Sequence, residues 1–233
     1  MKTRILSMIM LLMAVFSLSS CDKDTEGLTR VTVYPIITLE GGETVTVQKG
    51  TAYVEPGYTS TMNGEDVSSG VTVTGEVNTN KSGVYYLTYN TVKNSDGFGA
   101  SATRKVVVLD LNDAIEGFYL NKADGNRVYG GKTTAYGSDY EILIINNGDG
   151  SYNVSDLFGG WYDKRADYGS AYAMVGDIKV AADGSVSLVN SLVEGWGDSL
   201  VDFSGTWKKD EKTFSVVAVY ANGMTFNETW VKE

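Results

Sequence analysis

Asn-Gly and Asp-Gly pairs punctuate this chain from end to end: NGED from Asn63, SDGFG from Ser95, ADGN from Ala123, NNGDGS from Asn146, ADGS from Ala182 and ANGM from Ala221. These dipeptides reach the positive-φ conformations of tight hairpin turns at little cost. Between them lie short runs rich in Val, Thr, Tyr and Ile with period-two alternation. The clearest are VTVTGEV from Val71, VYYLTY from Val84, YEILII from Tyr140 and FSVVAVY from Phe214. No sustained helical period follows the first twenty residues. Turns at this spacing predict an all-β protein of short antiparallel strands, as sandwiches or barrels. The length suits two modest domains better than one.

The beginning of the chain carries a different signal. Lys2 and Arg4 precede the apolar run ILSMIMLLMAVFSL, which is short for a membrane span and typical of a signal-peptide core. It ends in Leu18-Ser19-Ser20-Cys21, which resembles a bacterial lipobox. The resemblance implies a signal peptide over 1–20 and lipidation of Cys21, with CDKDTEG opening an acidic tether over 21–30. Acidic residues directly after the lipidated cysteine resemble the surface-export signals of Bacteroidetes lipoproteins, which implies outer-membrane anchoring with exposure at the cell surface. Cys21 is the only cysteine, so lipidation would leave no thiol for disulfides, metals or nucleophilic catalysis.

Charge and composition exclude several chemistries. The chain has 19 Lys and Arg against 29 Asp and Glu, a net charge of −10. Such a balance disfavours nucleic acid as a partner. There is no histidine, so neither Ser-His-Asp nor Cys-His machinery can be assembled. The Asp-Gly turns lack the twelve-position spacing of a calcium loop and read as hairpin turns. No metal or other cofactor is implied.

The first domain is expected over residues 31–110. Gly83-x-Tyr85-x-Leu87 has the spacing of a tyrosine corner, in which the Tyr85 hydroxyl bonds backbone near the preceding turn. Tyr85, Leu87 and Tyr89 would share the buried face of one strand. The segment resembles the Ig-like domains of bacterial surface lipoproteins through Pro35-x-Ile37-x-Leu39, Gly50 to Tyr53, EPG at Glu55–Gly57, Gly83 with Tyr85 and Tyr89, Asp96-Gly97 and Arg104-x-Val106-x-Val108. The resemblance implies an Ig-like β-sandwich acting as a spacer. The changeover falls near 110–116, where Asp113 could cap a single helical turn.

An aromatic-rich antiparallel β domain is expected over 116–233. It contains an internal echo: DGSYNVSDLFGGW from Asp149 and DGSVSLVNSLVEGW from Asp183 both read turn, strand, loop, and end on Trp161 or Trp196. With the intervening YDKRADYGSAYAMVGDI, this stretch resembles the C-terminal β domain of lipoproteins from Bacteroidetes glycan-uptake loci. Those loci pair a TonB-dependent transporter with a SusD-like lipoprotein, so the resemblance implies these as partners.

An indole after glycine is either a plug closing a core or a flat surface for a ligand. A sugar offers an apolar C–H face ringed by hydroxyls, which an aromatic plane covers while polar side chains bond the rim. Trp161, Tyr162, Asp163, Arg165, Tyr168 and Trp196 have the composition of such a glycan platform. Large rings in a small β domain also fill its core, as expected for Trp207 and Trp230. If the two loops are equivalent, Trp161 and Trp196 should form one aromatic floor flanked by Tyr162 and Tyr168. The function expected is non-catalytic capture or presentation of an oligosaccharide or polysaccharide for an outer-membrane uptake system. The alternative is a structural subunit whose aromatics meet protein, and the third a glycoside hydrolase using Asp163 with Asp167 or Glu194 with Asp198.

Overall fold

The computed structural model describes residues 31–233; the expected signal peptide, Cys21 and the expected acidic tether lie outside the described residues. The first domain contains β1 (Ile36–Leu39), β2 (Thr44–Gln48), β3 (Tyr58–Met62), β4 (Glu65–Asp66), β5 (Thr72–Thr74), β6 (Gly83–Asn90) and β7 (Ser101–Leu109). Two sheets, β1-β3-β4 and β2-β7-β6-β5, form an Ig-like sandwich. All its pairings are antiparallel except β2 with β7, which sets Thr44 beside Lys105 in parallel register. Of VTVTGEV, only the three residues of β5 pair, at the sheet edge.

The sandwich core gathers Leu87, Tyr89 and Val106, with Ile37, Leu39, Tyr58 and Tyr85 packed against them. The Tyr85 hydroxyl donates to Lys81 O at 2.9 Å, so the corner bond forms, although the ring is only half-buried. Arg104 is fully buried on β7. It pairs with Glu55 at 3.0 Å and donates to Glu40 O and Gly57 O. The hydroxyls of Tyr53 and Tyr89 donate to the same Glu55 carboxylate at 2.5 and 2.6 Å. These bonds hold the carboxyl below its ordinary range against the opposing effect of burial. The Tyr53, EPG and Arg104 positions thus form one part-buried polar lock around the buried Arg104. Removing one partner would leave the other charge uncompensated.

Ten strands form the second domain: β8 (Gly117–Asn121), β9 (Asn126–Tyr129), β10 (Lys132–Ala135), β11 (Tyr140–Asn146), β12 (Tyr152–Val154), β13 (Met174–Val180), β14 (Ser185–Val193), β15 (Asp202–Lys208), β16 (Thr213–Tyr220) and β17 (Met224–Lys232). β17 pairs with β8 at Trp230–Asn121 and with β9 at Thr225–Val128, so β8 and β9 are two halves of one interrupted strand. β10 and β11 continue each other in the same way beside them. The result is a closed up-and-down antiparallel barrel, eight strands around, with the last strand paired to the first. Closure pairs the last strand with the first, although β10 pairs on one side only and β14 meets β15 over just Ser185–Ser187.

A barrel of this size is just wide enough for side chains to fill, and here they do. Tyr119, Trp207, Phe214, Phe203 and Trp230 form a continuous ring-to-ring stack with centroids 4.5–6.1 Å apart. Trp207 and Trp230 are core residues, as their strand positions predict. The run YEILII is apolar on both faces because both are covered. Ile142 and Ile144 enter the barrel core, while Leu143 and Ile145 meet Val107, Leu109 and Val84 of the sandwich.

The junction carries turns rather than a helix. Asp113 accepts the amides of Ile115 and Glu116, an Asx-type turn that competes with helix geometry. Buried Glu116 joins the domains by accepting Ser82 Oγ, Asp110 N and Asn146 N. Among the described residues no helix is long and apolar enough to cross a membrane.

Candidate functional site

Alternate connections of an up-and-down barrel fall at the same end. The two Asp-Gly-Ser turns therefore share one end, where Asp149 and Asp183 each accept the amide and hydroxyl of the serine two residues on. The two Gly-Trp loops, 155–173 between β12 and β13 and 194–201 between β14 and β15, share the other.

They treat their tryptophans oppositely. Asp156, fully buried, organises the longer loop: Oδ1 accepts the amides of Phe158 and Met174, and Oδ2 accepts that of Gly160. This bends the loop back into the mouth, where Leu157 and Phe158 are fully buried. Gly159 lies so close to Glu228 and Asn121 that a Cβ would fall 2.2 Å from Glu228 Oε2, and its carbonyl accepts Asn121 Nδ2. A single π-helical turn, Trp161–Arg165, then sets the Trp161 indole edge-on to Tyr136 at 4.9 Å. Trp161 is only 2% exposed. It is a plug, and the structure removes it from the expected floor.

Trp196 is 39% exposed. A tight turn at Val193, with Gly197 N donating to Val193 O at 2.8 Å, lifts it from the barrel wall. Gly195 N donates to Ala171 O at 2.7 Å and couples the two loops. The indole is ringed by Tyr162 at 4.8 Å, Tyr172 at 5.0 Å, and Tyr168 and Tyr220 at 6.3 Å. Tyr168, Tyr172 and Trp196 line a shallow depression of about 320 Å³. The half-buried Tyr162 underlies it and, with Phe226, bridges to Trp161. No direct ring pairing joins the two indoles.

The remaining expected residues divide. Asp163 turns away from the floor, pairs with Lys164 at 3.0 Å, and lines an interdomain groove of about 390 Å³ with Tyr86 and Lys105. Arg165 lies over Trp161, its guanidinium carbon 4.2 Å from the ring centroid and its Nε donating to Tyr136 O. Asp167 and Glu194 are exposed, and Asp198 accepts the Tyr220 hydroxyl at 2.7 Å. Tyr172, a wall of the depression, had no sequence signal beyond its place in the aromatic loop.

Two buried acids also escaped the sequence reading. Burial raises Asp156 to about 6 despite its three amide donors. Burial pushes Glu228 well above the carboxylate range, and the nearby Asp156 adds to the rise. Trp230 Nε1 donates to Glu228 Oε2 at 2.6 Å, while Glu228 Oε1 and Asn121 Oδ1, both acceptors, have no partner. A protonated Glu228 converts one of those acceptors into a donor. Both acids are enclosed in the core and support the plug.

Comparison with known proteins places these features in a family. Residues 37–108 match the family model of the bacterial surface protein Ig-like domain, and residues 109–232 match a family model of a C-terminal domain. Among solved structures, the chain is similar to the lipoprotein BT2262 from Bacteroides thetaiotaomicron. The identity is 35% and the TM-score 0.76, with 85% of this chain and 100% of that chain covered. None of the curated proteins compared matches the sequence.

Proposed function

This chain belongs to the family of that Bacteroides lipoprotein, with a surface Ig-like domain and a cell-envelope location, and from that premise we propose that it captures glycan for an outer-membrane uptake system without cleaving it. In this reading Cys21 carries the lipid, the Ig-like sandwich is the spacer, and the mouth of the barrel faces the medium. The observation that carries it is the depression built from Trp196, Tyr168 and Tyr172. Two exposed rings, Tyr168 and Trp196, walled by the partly buried Tyr172 beside a well-filled core, are a surface offered to a partner with an apolar face. Sugar C–H faces suit such rings, and the adjacent Asp198 and Tyr220 hydroxyl supply rim polarity.

A non-catalytic role is favoured by the state of the carboxylates. Asp198 is engaged by Tyr220, Asp163 by Lys164, and Asp156 and Glu228 are sealed in the core. A TonB-dependent transporter and a SusD-like lipoprotein are the partners that this role would require. The test is titration with a panel of oligosaccharides, read by tryptophan fluorescence and calorimetry on the soluble chain. Binding of at least one oligosaccharide, lost in Trp196→Ala, is the expected result. A panel without any binder, or a binder indifferent to Trp196, refutes the proposal.

A further inference from the structure

We infer that the ligand of this floor carries an anionic group, a uronate carboxylate or a sulfate ester, received by Arg127 and Arg165 at the mouth of the barrel. The inference rests on the glycan reading above and adds the chemical class of the sugar. Both guanidiniums lie against one indole: the Arg127 carbon is 4.6 Å and the Arg165 carbon 4.2 Å from the Trp161 ring centroid. Neither has a carboxylate partner; the ion pairs among the described residues are Arg104–Glu55, Lys122–Asp139, Lys164–Asp163 and Lys208–Glu211. In a chain with 29 acids and only 19 bases, two unpaired arginines gathered on one ring are a local inversion of charge.

Cation–π contact with Trp161 orients the two groups but leaves their charge uncompensated. The Arg127 Nε is buried without a hydrogen-bond partner, and Arg165 commits only its Nε, to Tyr136 O. The planar fork of each guanidinium matches the paired oxygens of a carboxylate or a sulfate. One of the two arginines is also connected to the floor. Arg127 is close enough to the Tyr162 hydroxyl to oppose the rise that burial imposes on it. The Tyr162 ring in turn meets Trp196 at 4.8 Å. A sugar stacked on Trp196 therefore has Arg127 one ring away, with Arg165 beside it on the same Trp161 indole.

The experiment compares three probes on the soluble chain: a galacturonate trimer, the matching neutral galactose trimer, and a sulfated galactose trimer. One or both acidic probes should bind about tenfold or more tightly than the neutral one, with the preference shrinking between about 0.05 and 0.5 M salt. Whichever acidic probe binds identifies the group. Arg165→Gln, at an exposed side chain, should reduce the preference toward parity while sparing neutral binding, and Arg165→Lys should retain part of it. Arg127→Gln should act likewise wherever its melting temperature shows a folded protein; if it unfolds, Arg165→Gln decides alone. Equal wild-type affinity for neutral and acidic probes overturns the inference and leaves the glycan reading standing. Equal weakening of both by Arg165→Gln also overturns it, because the arginine then shapes the floor without reading charge. Failure of every probe, together with the wider panel, removes both.

Discussion

Gly160-Trp161 and Gly195-Trp196 are the same two residues at the same end of one barrel, yet one indole is sealed and the other open. The difference lies in the loops that carry them. The 155–173 loop is long enough to fold back, and Asp156 gathers its amides so that Leu157, Phe158 and Trp161 descend into the mouth. The 194–201 loop turns tightly on Val193 and has no such anchor, so its indole rests on top of what the first loop has filled. Plug and platform are therefore consecutive layers, and the platform requires the plug.

The most severe way to break this layering is to remove the plug. Trp161→Ala should cost about 3–5 kcal/mol of stability through the cavity it leaves. Denaturant melting would measure it, and any loss of binding should follow the loss of fold. Gly160→Ala attacks the same layer through the backbone. Its φ of 85° is left-handed, which costs a side-chain-bearing residue about 1–2 kcal/mol, and its Cβ would sit 2.6 Å from Tyr140 Cβ. A Trp161→Ala protein as stable as the wild type would contradict the plug.

Removing the platform should do the reverse. Trp196→Ala should leave stability within about 1 kcal/mol, yet weaken oligosaccharide binding by about 1–3 kcal/mol, as loss of a central aromatic contact does. Stability and affinity measured on one sample separate the two layers. A large destabilisation here would mean that Trp196 is a second plug.

The underside of the plug carries the pH dependence. Burial raises Glu228 above its ordinary range, so the folded protein keeps a proton that the unfolded chain releases. This contribution to stability is full in acid and is lost as pH rises through the folded value. Asp156 adds the same trend between the ordinary aspartate value of 3.8 and about 6. Glu228→Gln, which imitates the protonated acid, should match the wild type near pH 5. It should exceed it near pH 8, because the wild type loses about 1.4 kcal/mol for each pH unit above the unfolded value until the folded one is reached. A variant less stable than the wild type at pH 8 would show that Glu228 is held there as a carboxylate.

Local pattern revealed the strands and turns because alternation and Asn-Gly pairs are local: β6, β11 and β16 lie where VYYLTY, YEILII and FSVVAVY predict them. Sandwich and barrel could not be distinguished for the second domain, because closure depends on Trp230 meeting Asn121 across most of that domain. The parallel pairing of β2 with β7 also joins segments far apart in sequence. The fate of each tryptophan was illegible for a related reason. GGW and EGW differ little, and burial is decided by whether an aspartate five residues upstream can gather loop amides. Asp156 and Glu228 themselves look like any other of the 29 acids until burial singles them out.

The smallest expected effect on stability tests the glycine before the exposed ring. Gly195 has an ordinary φ, and a Cβ there would come within 2.6 Å of Tyr172 Cε1, on a ring wall of the depression, rather than of backbone. A tyrosine ring can swing aside where Tyr140, at its own Cβ beneath Gly160, cannot. Gly195→Ala should therefore change stability by no more than about 0.5 kcal/mol. It should still weaken ligand binding severalfold, because Tyr172 is displaced from the wall it forms with Tyr168 and Trp196. Tyr172→Ala should lower affinity on its own, and in its background Gly195→Ala should have almost no further effect, since the ring it displaces is already absent. Additive losses in the double variant would mean that the glycine acts on the Trp196 turn directly. The glycine before Trp161 would then be needed for its backbone and the one before Trp196 for its turn, with Tyr172 incidental to the floor.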